Sequence, residues 1–132
     1  MKRLLVAVVA AGTCALGGQA YAHHSFAATY IEDESVTIEG ELVHVVFRNP
    51  HSFVHLVVTD RNGMMVRYAV EWGAAAELGG QGVTSTTLKL GDRLVISGNP
   101  GRNPSDHRVR MINLRRPSDG FGWVSRPDDA VD

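Results

Sequence analysis

The chain has 132 residues, 44% of them hydrophobic, with 13 basic and 14 acidic side chains and a formal net charge of −1. That length suits one domain and is too short for two. A near-neutral, slightly acidic balance lacks the cationic footprint that general nucleic-acid binding requires.

Residues 1–22 have the three zones of a cleavable secretory signal. Lys2 and Arg3 form the basic start, Leu4 to Leu16 the apolar run, and Ala20-Tyr21-Ala22 the small-residue cleavage site. The apolar run is shorter than the roughly 20 residues of a membrane span, so no stable span is expected after cleavage. Cys14 fits a lipid-acylation pattern poorly, because Ala11-Gly12-Thr13 precedes it. Cleavage after Ala22 removes the chain's one cysteine, so the exported domain must rest on an ordinary core without disulfides. The expected location is the periplasm.

Residues 23–35 carry no clear period and are expected to form an N-terminal arm. From Val36 to Phe47 the sequence is rich in β-branched and apolar residues. Val36, Ile38 and Leu42 share one parity, whereas Val45 and Phe47 take the other, which predicts a bend or bulge between Leu42 and Val45, eased by Gly40. Asn49-Pro50 stops this strand. A second strand is expected over Ser52 to Thr59, a hairpin turn over Asp60-Arg61-Asn62-Gly63, and a third strand over Met64 to Trp72. Ala74 to Leu78 reads as a short helix stopped by Gly79-Gly80. Strands over Arg93 to Ser97 and Arg108 to Leu114 follow, and residues 118–132 read as a flexible tail. The fold class is all-β: a five-stranded OB-like barrel over residues 36–117, with one short helix between strands 3 and 4. A small open sandwich is the competing arrangement.

Histidine is the residue type that stands out. Imidazole is the commonest metal ligand and suits copper and zinc. Cleavage after Ala22 makes His23 the terminal residue, whose α-amine and ring nitrogen chelate one ion. Cleavage after Ala20 instead gives Tyr21-Ala22-His23, with histidine third, also a Cu(II)-competent start. Alternation puts His51, Phe53, His55 and Val57 on one face of the second strand and Val54, Leu56 and Val58 on the other. The aliphatic set should face the core, leaving two histidines and a ring outside, on the usual ligand face of an OB barrel. The third strand adds Glu71, or Tyr68 and Trp72, depending on register.

Two site readings follow. One is a metal site, copper first as Cu(II), built from His23, His24, His51 and Glu71. The other is a non-enzymatic platform for a small ligand, envelope component or partner protein, built from Phe53, His55, Tyr68 and Trp72. An accessory role beside another exported protein is a third option. Catalysis has little support: Ser52 lies in no nucleophile elbow, and Gly79-Gly80-Gln81-Gly82 lacks the helix and lysine of a phosphate loop.

His23-His24-Ser25-Phe26-Ala27-Ala28 with Tyr30, Asn49-Pro50-His51, Glu71-Trp72-Gly73 and Leu88-Lys89-Leu90-Gly91-Asp92 together resemble a family of small exported bacterial proteins known only as a domain of unknown function. The resemblance spans essentially the whole exported chain. It implies a single exported β-domain and leaves the activity open.

Overall fold

The computed structural model describes residues 26–125. The expected signal over 1–22, His23, His24 and the last seven residues lie outside them. Six strands and a short helix follow in order: β1 (Val36–Val46), β2 (Ser52–Thr59), β3 (Met65–Trp72), α1 (Ala75–Gly80), β4 (Arg93–Pro100), β5 (Arg108–Arg116) and β6 (Phe121–Val124). The strands form one sheet in the order β3-β2-β1-β4-β5-β6, and a further pairing of β3 with β5 closes the first five into a barrel. That closing pair is parallel, Ala69 to Glu71 against Arg108 to Arg110, and it removes the free edges that an open sheet would expose. The fold is therefore the OB-like barrel expected from the sequence, with α1 between β3 and β4.

Alternation accounts for which residues enter the core. Leu42, Val54, Leu56, Val70, Leu94, Ile96, Val109 and Leu114 are fully buried, each at an inward position of its strand. Leu78, Val83 and Leu88, from the connection between β3 and β4, join the same core. β1 carries the expected irregularity: its register against β2 shifts between Leu42 and His44. Gly40 sits against β2, where a Cβ would collide with the Val57 carbonyl oxygen.

The sequence motifs hold the barrel's bends in place. Gly91 N–H donates to Leu42 O and Leu42 N–H to Asp92 O, both at 2.8 Å, so the Leu-Gly-Asp turn docks on β1 beside its bulge. Asp92 in turn accepts from Arg116 at 2.7 Å. The Asn49 side chain accepts from Ala76 N–H and Arg48 O from Ala75 N–H. The loop before His51 is thereby tied to the start of α1, supplying partners for its otherwise unsatisfied amides.

Two expectations need correction. α1 does not stop at Gly79-Gly80 but includes both. The stop is Gly82, at φ +82°, with Val83 N–H bonded back to Leu78 O, as in a left-handed helix terminus. The tail is also shorter than expected. Phe121–Val124 pairs with the second half of β5, on the edge whose first half pairs with β3. Trp123 is buried and meets Trp72 edge-on at 5.5 Å between ring centres.

Candidate functional site

The β2–β3 register decides which outer residues meet. Phe53 faces Glu71 and Ser52 faces Trp72, and directly opposed residues of an antiparallel pair point to the same side. Glu71 therefore shares the outer face with His51 and Phe53. Trp72 goes inward with Ser52 and is a core residue, 3% exposed. Tyr68 lies opposite Leu56 and packs against the core. The four-residue platform of Phe53, His55, Tyr68 and Trp72 does not assemble on one face, because strand alternation splits it two and two.

His51, by contrast, does meet Glu71. Its Nδ1 lies 3.5 Å from Glu71 Oε1. The other carboxylate oxygen, Oε2, accepts from the Tyr30 hydroxyl at 2.5 Å and from Arg108 Nη2 at 3.4 Å. Glu71 is only 8% exposed, so its charge is compensated by groups from three parts of the chain: the arm, β5 and the loop before β2. Burial, above all, and then the carboxylate that accepts its proton hold the Tyr30 phenol well above its ordinary pKa, against the opposing pull of Arg108.

The arm supplies the cover. Residues 26–29 form a helical turn and Tyr30 bridges to Gly101. Ile31 N–H donates to Pro100 O, Arg102 N–H to Thr29 O, and the Asn99 side chain to Glu32 O and Glu34 O. At its start, the Phe26 ring stands edge-on to His51 at 5.5 Å, with the Arg110 guanidinium 4.0 Å from the Phe26 ring centre. Arg48 and Arg108 each lie 5.9 Å from the Phe53 ring centre. The result is a compact patch of one imidazole, one buried carboxylate, aromatic rings and arginines, at the point where the chain enters the described fold.

The remaining predicted residues lie elsewhere. His55 faces His44 across the β1–β2 pair. The Tyr68 and His107 ring centres lie 5.2 Å apart, their planes tilted by 56°, beside a cleft of about 830 Å³ that also includes Arg61, Arg102 and Arg108. His51, Phe53, Glu71 and Trp72 do not line it. Tyr30, Arg108, Phe26 and Arg110 are the site residues that strand periodicity passes over. Tyr30 had one signal, its place just after the His-His-Ser-Phe segment.

Among the described residues no three histidine, cysteine, aspartate or glutamate side chains stand close enough to hold an ion together. No helix among them is long and apolar enough to cross a membrane. The chain matches the family described as "Family of unknown function (DUF6152)" over residues 11–110. That stretch is most of the chain, and the protein belongs to this family. No curated protein matches it.

Proposed function

We propose that this is an exported, periplasmic metal-binding protein that holds Cu(II) between its N-terminal histidines and His51. Cleavage after Ala22 frees the His23 amine, which with its ring nitrogen makes a chelate, and His24 or His51 completes a nitrogen-rich tetragonal set. The observation that carries the reading is the seating of Phe26 against His51. Three residues span at most about 10 Å of extended chain, so His23 and His24 are within reach of the His51 ring.

Glu71 takes a different part from the ligand role expected of it. Its oxygens are already engaged by Tyr30, Arg108 and the Nδ1 side of His51. The carboxylate stands at ion-pair distance beside one ring nitrogen and leaves the other as the open donor toward a metal. Nε2 is thus the ligand atom of His51, and Glu71 is its positioning residue. Electron paramagnetic resonance of the Cu(II)-loaded protein tests this. The native spectrum should report three or more nitrogens, and His51→Ala should lose one of them. An unchanged spectrum would remove His51 from the site.

A second reading, a non-enzymatic module for a small ligand, draws support from the cleft beside Tyr68 and His107. It no longer includes Phe53, His55 or Trp72.

A further inference from the structure

We propose that His44 and His55 form a second, independent metal site on the outer face of β1 and β2, one that selects a tetrahedral divalent cation, zinc first.

The bulge creates this pair. Leu42 pairs with Leu56, both fully buried, so in an unbroken ladder position 44 would pair with Val54 and point into the core. The extra residue between Leu42 and His44 shifts the register, puts His44 opposite His55, and turns its imidazole outward. Re-aiming one side chain is a recurrent use of bulges beside functional sites. The two rings stand 5.4 Å apart between centres and are tilted by 35°.

That spacing admits a shared ion. An ion bonded to both rings at about 2.0–2.1 Å lies about 3.2 Å from each ring centre, so the observed separation subtends about 115° at the ion, near the tetrahedral angle. Two rings on a square-planar ion would stand about 4.5 Å apart at adjacent positions and about 6.4 Å apart at opposite ones, so the tetrahedral arrangement needs the least movement of either ring.

The nitrogens are free to bind. Among the described residues neither imidazole has a hydrogen-bond partner; their ring contact is with each other. Two protein nitrogens leave the other tetrahedral positions to solvent or an incoming ligand, which suits an exchangeable site better than a structural one.

The test is a Zn(II) titration of the protein recovered after expression with residues 1–22 in place, followed by the ¹⁵N resonances of the histidine rings. Over the titration, beyond the equivalent that fills the terminal site, Zn(II) should shift His44 and His55 together with a single apparent affinity. His44→Ala should abolish the shift of His55, His55→Ala that of His44, and His51→Ala should leave both shifts intact. If neither ring responds, or His55 responds equally with and without His44, the shared site is refuted. Failure here is distinct from failure of the terminal copper site, which depends on His23 and His51 and is read from separate resonances.

Discussion

Tyr30→Phe isolates the contact that fastens the arm to the barrel. The substitution removes one hydroxyl and keeps the ring, which is fully buried. That hydroxyl donates to a carboxylate, and a hydrogen bond to a charged partner contributes about 1.5–3 kcal/mol. Glu71 keeps Arg108 and His51 near it, so the loss should fall toward the lower end, about 1.5–2 kcal/mol. For a domain of this size that corresponds to a fall of roughly 6–16 °C in Tm. Differential scanning calorimetry measures the shift. Amide hydrogen exchange localises it, because the N–H groups of Ile31 and Arg102, bonded across the arm to Pro100 O and Thr29 O, should lose protection first. A variant that melts within about 0.5 kcal/mol of the parent, the ordinary range for surface changes, with those amides still protected, would show that the Tyr30–Glu71 contact does not hold the arm.

The same contact predicts an alkaline limit. The folded pKa of Tyr30 is raised above its ordinary value of 10.0, so its contribution is complete below pH 10 and is lost as the pH rises through the higher folded value; Tyr30→Phe should flatten the decline in Tm above pH 10. At the acid end, burial opposes ionisation of Asp92, but the Lys89 amide and Arg116 outweigh it and hold the carboxyl below its ordinary 3.8. Its contribution is present above pH 3.8 and lost below, so Asp92→Asn should diminish the fall in Tm between pH 4 and pH 2. Trp123→Ala should cost about 3–5 kcal/mol in urea unfolding, as a large core truncation does; a cost below about 1 kcal/mol would return β6 to a dispensable tail.

Much of this fold was legible in residue order because strand burial has a period of two. The change of parity after Leu42 located the bulge, and Asp60 to Gly63 located the β2–β3 turn. That turn also contained the answer to the site's register. Once Thr59 pairs with Met65, Phe53 must face Glu71, which sends Trp72 inward. β6 escaped notice because four residues with two glycines nearby give little alternation, and only Trp123 marks it as buried. The arm was less legible still. Its contacts join Tyr30 to residues 41 and 71 positions away, and no local period reports such pairing. Likewise, the sequence made Glu71 a direct ligand because carboxylates bind metals, whereas the fold surrounds it with Tyr30, Arg108 and His51.

The central claim is that processing creates the copper site. A competition titration for Cu(II) should compare the protein recovered with His23 as its first residue and the same domain carrying one extra Met before His23. The extension moves the α-amine, whose ordinary pKa is about 8, out of the chelate. Binding by the native terminus should be far tighter and should weaken as the pH falls toward 5, where protons occupy the amine and the imidazoles. Equal affinity for the two forms across that pH range would contradict the terminal site.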